Sequence, residues 1–142
     1  MRYPLLTLVL MASLALAQSK PTLYERLGRY DAISTIAEDY LTGLRADPRF
    51  KRFSGGRSAD GLRRAKQMLK DQLCALTGGP CTYPGKDMRA AHGGLGISAE
   101  EWEANMKYLA AALDQSKITG AEKTEFLAVV ESLKPQIVEK SQ

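Results

Sequence analysis

Tyr83-Pro-Gly-Lys-Asp-Met-Arg-Ala-Ala-His92-Gly-Gly-Leu-Gly-Ile97 carries the single histidine of the chain. The turn Gly78-Gly79-Pro80 lies upstream of it, and Ser98-Ala-Glu-Glu101 opens a fresh helix downstream. One imidazole at the end of a short helix, in an otherwise helical chain, suits the proximal side of a haem iron. A neutral imidazole is a good iron ligand, and one suffices there. A zinc site takes three or four ligands, and neither this lone His nor the two Cys can complete a typical set. A lone histidine by itself serves packing as readily as chemistry, so the surroundings must decide.

The chain of 142 residues begins with Met1-Arg2 and an apolar run that closes on Ala15-Leu16-Ala17. A positive start, an apolar stretch and a small-residue site have the anatomy of a cleavable secretory signal. The run is too short for a good spanning helix, and no Cys follows it to carry a lipid anchor. The expectation is a signal peptide over residues 1–17 and one exported domain over residues 18–142, periplasmic or secreted, with an uncleaved anchor as the alternative. The formal net charge of +4 is small and interspersed with acids, which argues against a nucleic-acid partner. No repeat, linker or low-complexity segment interrupts the rest, which is long enough for one core and one buried cofactor. Cys74 and Cys81 bracket the Gly-Gly-Pro turn. In an oxidising compartment they form a disulfide closing a short loop; the alternative is two unpaired thiols.

Beyond Gln18 the sequence reads as helix and turn, an all-α class. Thr22-Leu-Tyr-Glu25 is a capping box opening a short helix that stops near Gly28. Asp31 caps a second helix whose inward stripe is Ile33, Ile36, Ala37, Tyr40 and Leu44, with Leu41 beside it. That helix ends at Asp47-Pro48, and the residues up to Phe53 make one tight turn. The glycine-rich loop Ser54-Gly-Gly-Arg-Ser58 lacks both a preceding strand and the Gly-Lys-Ser/Thr ending of a phosphate cradle. From Ser58 a third helix carries Leu62, Ala65, Leu69, Leu73 and Leu76 inward and Met68 on the flank, with Arg63, Arg64, Lys66 and Lys70 on an outer basic face. A fourth long helix, from Ser98 to about Gln115, turns Trp102, Met106, Leu109 and Leu113 inward. Thr119-Gly-Ala-Glu122 reads as a capping box for one last helix, with Phe126, Val130, Leu133 and Ile137 inward.

In this order, and at this spacing around the only His, several short runs become informative together. They are Leu23-Tyr-Glu-Arg-Leu-Gly28, Ala46-Asp47-Pro48, Gly78-Gly79-Pro80, Tyr83-Pro-Gly85, Asp87-Met88, Ala91-His92 and Gly94-Leu-Gly-Ile97. With them the chain resembles the group I truncated haemoglobins over residues 22–138. The resemblance implies a truncated globin fold, a two-over-two helical sandwich around a b-type haem, with His92 as the proximal iron ligand. It places Tyr83, Met88, Leu95, Ile97 and Met106 on the proximal side. Lys86 is set to meet a haem propionate, a merely solvated lysine being the alternative. No Cys-x-x-Cys-His motif is present, so covalent attachment of haem is not expected.

Departures from the family pattern bear on the ligand side. Counting back from Asp47, the usual second-helix Tyr is Leu41 here, with Tyr40 in the preceding aromatic position. Counting back from His92, the usual polar positions of the third helix are Ala65 and Leu69, and the usual Phe-Phe pair is Phe53-Ser54. A distal wall read this way has no hydrogen-bond donor and holds oxygen weakly. Met68 falls where some family members carry an internal sixth ligand; its thioether either ligates iron or fills space. The resemblance therefore implies a globin that reversibly binds oxygen, nitric oxide or carbon monoxide, with an unidentified reductase or electron partner. A nitric oxide dioxygenase or peroxidase-like side activity is compatible with it. The alternative is a cytochrome-like electron carrier with His92 and Met68 both on iron.

Overall fold

A computed structural model describes residues 20–140 of the chain. The signal-peptide reading of residues 1–17 lies outside the described residues. Helix α1 (Leu23–Leu27) opens on the expected capping box, with Thr22 Oγ1 accepting from the Glu25 N–H and the Glu25 carboxylate accepting from the Thr22 N–H. It ends on Gly28, and α2 (Arg29–Ala46) starts at once rather than at Asp31. Gly28 and Arg29 both take left-handed backbone angles, φ 107° and 65°, which turn the chain within two residues. Asp31 sits in the first turn of α2, where a carboxylate complements the positive end of the helix dipole.

Asp47 stops α2 and organises the corner that follows. Its buried carboxylate accepts from the Arg49 N–H at 2.9 Å, from the Arg49 guanidinium, and from the Tyr108 hydroxyl at 2.9 Å. The Arg49 contact holds the Asp47 carboxyl well below the usual carboxylate range. Pro48–Phe50 forms a tight 3-10 turn that runs into α3 (Lys51–Ser54), as the sequence reading expects. Helix α4 (Ala59–Leu76) starts on the Ser58 cap, whose hydroxyl accepts from the Gly61 N–H. The short α5 (Met88–His92) starts on Asp87, and α6 (Ala99–Gln115) on the Ser98–Glu101 capping box.

The single last helix of the sequence reading is two helices, α7 (Gly120–Glu131) and α8 (Lys134–Ile137). Pro135 has no N–H, and its ring clashes with the carbonyl four residues back, so the helix breaks at Ser132–Leu133. No Thr119 side-chain cap forms at the start of α7, contrary to the expected capping box. Lys70 also departs from expectation. It is only 9% exposed, and its ammonium lies 2.6 Å from Glu38 Oε1, pinning α4 to α2 instead of facing solvent.

Helix α2 packs on α4 and on α6, α6 packs on α7, and α5 packs on α8. The larger core gathers Leu23, Ile33, Ile36, Leu73, Leu109, Leu113 and Phe126; the smaller holds Met88, Trp102 and Ile137. Met106 packs against both cores. Cys74, fully buried on α4, is joined to Cys81 by a disulfide, the first of the two alternatives the sequence left open. Among the described residues no helix is long and apolar enough to cross a membrane.

Candidate functional site

Between the two cores lies a cavity of about 460 Å³, within the size range of cofactor sites. His92 lines it from α5, half-buried. Its Nδ1 lies 2.9 Å from the Met88 carbonyl oxygen, one helical turn back. A carbonyl can only accept, so Nδ1 carries the proton and Nε2 keeps its lone pair for a ligand-seeking atom. Such a second hydrogen bond fixes both the tautomer and the plane of a metal-binding imidazole. Among the described residues no cluster of three or more His, Cys, Asp or Glu could hold a bare metal ion. A single imidazole over an apolar cavity suits instead a cofactor that brings four of its own ligands.

The turn after His92 is held from the far end of the chain. Glu139 accepts from the Gly94 N–H at 2.6 Å and from the Gly96 N–H at 2.5 Å, and those two bonds hold its carboxyl below the ordinary range. Gly94 and Gly96 take φ 80° and 62°, the left-handed region that favours glycine. Gly93 is required for another reason: a Cβ there would meet the Arg89 carbonyl oxygen at 2.8 Å. Arg52 reaches over from α3 to the same turn, donating to the Leu95 carbonyl at 2.6 Å and pairing with Glu101.

Helices α2, α3, α4 and α6 contribute further lining residues. Leu41, Phe53, Ala65, Met68 and Leu69 line the cavity, as do Tyr83, Met88, Leu95 and Ile97. Three polar side chains join them: Tyr40, Gln72 and Asn105. The Tyr40 hydroxyl donates to Asn105 Oδ1, and burial raises the phenol above its ordinary pKa. Gln72 donates to the Met88 sulfur at 3.0 Å. At the rim stand Arg45 and Arg57, neither in an ion pair among the described residues.

The bacterial-like globin pattern matches residues 22–139. The group 1 truncated haemoglobin of Tetrahymena pyriformis is 32% identical over 123 residues, which is 86% of this chain and 99% of that one. This chain belongs to the bacterial-like globins. It is a group I truncated globin, and the family binds haem. The group 1 truncated haemoglobin of Mycolicibacterium paratuberculosis is 28% identical over 82% of this globin and 83% of its own length. The crystal structure of the Tetrahymena pyriformis protein in its Fe(III) form superposes with a TM-score of 0.77, at 30% identity, covering 84% of this globin and all of that chain.

Two expected site residues fall outside the cavity wall. Met106 is taken up between the two cores, and Lys86 is exposed, its carbonyl accepting from the Tyr83 hydroxyl at 2.8 Å. The expectation of a ligand side without donors covers fewer residues than the cavity lining, which also includes Tyr40, Gln72 and Asn105. It counted only the positions where the family usually carries polar groups, and Asn105 arrives from α6, which that count did not include.

Proposed function

We propose that this globin holds one b-type haem through His92 Nε2 and reversibly binds a diatomic gas on the α2–α4–α6 side. The observation that carries the reading is the Nδ1–H bond from His92 to the Met88 carbonyl at the head of an apolar cavity. When bound, the haem would supply an iron able to take up a diatomic gas in its ferrous state. The chain's own residues do the rest. His92 anchors, and Leu41, Ala65, Leu69 and Leu73 keep water out. Arg45 and Arg57 meet the propionates at the rim, the role expected of Lys86 from sequence.

Met68 lines the cavity and is 40% exposed. We read it as filling space beside the haem, as flexible Met often does, and therefore read the protein as a gas-binding globin before an electron carrier. Titration of the purified protein with haemin tests the reading. The expected result is a Soret band saturating at one equivalent and a ferrous spectrum of five-coordinate iron. A six-coordinate low-spin ferrous spectrum would return Met68 to the iron.

Export follows from the Ala15-Leu16-Ala17 site and agrees with the Cys74–Cys81 bond, since disulfides persist in oxidising compartments. Mass spectrometry of the protein from its host should find a chain starting at or near Gln18. A full-length cytoplasmic form would refute it.

A further inference from the structure

We propose that Asn105 is the hydrogen-bond donor to the gas ligand and that Tyr40 aims it; the inference rests on the globin reading above. Trp102, Asn105 and Leu109 are spaced three and four residues apart on α6, and all three line the cavity. They form one face of the helix. A polar amide therefore stands in the middle of an inward apolar stripe, where an unpaired polar group is costly.

Tyr40 accounts for half of that amide. Its hydroxyl crosses from α2 to donate to Asn105 Oδ1, and burial keeps the phenol protonated as a donor. An amide carries two N–H donors on nitrogen and acceptor lone pairs on oxygen. With the oxygen committed to Tyr40, the nitrogen is left free to donate. Asn105 Nδ2 has no protein partner among the described residues, yet it is not a sealed orphan: Ser116 Oγ is the buried side-chain polar atom without one. The amide nitrogen keeps access to open space, and the space that Asn105 lines is the cavity.

Placement supports the same assignment. Tyr40 and Asn105 belong to the packed pair α2–α6, whereas His92 stands on α5, which packs on α8. In the proposed assignment the pair stands on the wall across from the imidazole, both residues lining the cavity that His92 lines from α5. A gas ligand that gains negative charge when bound is stabilised by an N–H already pointed at it, because no reorganisation is needed.

Carbon monoxide and oxygen serve as probes on the haem-loaded protein. Asn105→Val should raise the infrared C–O stretching frequency and speed oxygen release about ten- to a hundredfold, the range of one hydrogen bond to a charged acceptor. Tyr40→Phe keeps the amide but loses its aim. It should broaden the C–O band and speed release by less than Asn105→Val does. Circular dichroism melts of both apoproteins confirm that the variants fold. An unchanged C–O stretch and release rate in a folded, haem-loaded Asn105→Val protein would overturn the donor role and leave the globin reading standing. A larger effect of Tyr40→Phe than of Asn105→Val would overturn it too, by making the phenol the donor. Failure of the wild type to bind haem would instead bring down the reading beneath.

Discussion

The two walls of the cavity are built by different kinds of contact. On the His92 side, the groups that matter are close in sequence: the imidazole bonds a carbonyl four residues back, and the turn that follows it is glycine-rich. On the ligand side, the polar contact joins Tyr40 to Asn105, 65 residues apart, and exists only because α2 crosses α6. A wall made of local contacts can be read from a stretch of chain. A wall made by a helix crossing cannot.

The largest expected effect breaks the first wall. His92→Ala removes the only imidazole of the chain, and the other lining residues offer only the Met68 thioether in its place. Haemin titration should show loss of the sharp, stoichiometric Soret transition, with at most weak and heterogeneous uptake. An unchanged spectrum would mean that iron is held from the other wall. The two walls would then have been assigned the wrong way round.

Next in size comes the joint between the walls. The Cys74–Cys81 bond ties the end of α4, part of the ligand side, to the segment that leads into Tyr83 and α5. Closing a loop with a sequence separation of 7 stabilises by ~2–3 kcal/mol in the chain-entropy account. Cys81→Ala should therefore lower the melting temperature by roughly 10 °C, measured by calorimetry without reductant. No change would show that the buried packing of Cys74 alone holds the joint.

Legibility followed the same division. The helix starts at Thr22, Ser58 and Ser98, the stop at Asp47-Pro48 and the place of His92 were all readable, because caps, proline and periodicity act within a few residues. Lys70 was misplaced because the helix pattern shows which face is basic but not that Glu38 of α2 covers part of it. The break before α8 was in principle visible, since Pro135 was in the sequence. The inward stripe runs on across it, and the proline's missing N–H and ring clash outweigh that pattern. Asn105 escapes the sequence pattern because it lies between the apolar positions that align α6, and its partner Tyr40 lies on α2, with three helices between them. Glu139 was missed for the same reason, sitting at the far end of the chain from the turn it holds.

That Glu139 clasp is where the locality of the His92 wall is incomplete, and pH tests it. The carboxyl is held below its ordinary range by the Gly94 and Gly96 N–H groups. A depressed carboxyl contributes stability that is fully present above its unfolded pKa, about 4.3, and is lost as pH falls through the folded value. Hydrogen-exchange protection of the Gly94 and Gly96 amides in the apoprotein should thus be constant from neutral pH to about 5 and drop below that. Glu139→Gln should lower protection at neutral pH and flatten the acid drop. If the drop persists unchanged in the variant, another group holds the turn.

The smallest effect concerns the rim, and it asks which wall grips the outer edge of the haem. From sequence the cation for a propionate was Lys86, on the His92 side. In the fold Lys86 is exposed and off the cavity wall, while Arg45 at the end of α2 and Arg57 ahead of α4 line it, unpaired among the described residues. Exposed ion pairs contribute only about 0.2–1 kcal/mol, since both groups remain solvated. Transfer of haem to excess apomyoglobin measures the grip directly. Arg45→Ala and Arg57→Ala should each speed haem loss by about two- to fivefold, and Lys86→Ala by less than either. The effect should shrink at high salt, where exposed charges are screened. If Lys86→Ala proves the fastest of the three, the His92 wall holds both the iron and the edge, and the ligand side is left with the gas alone.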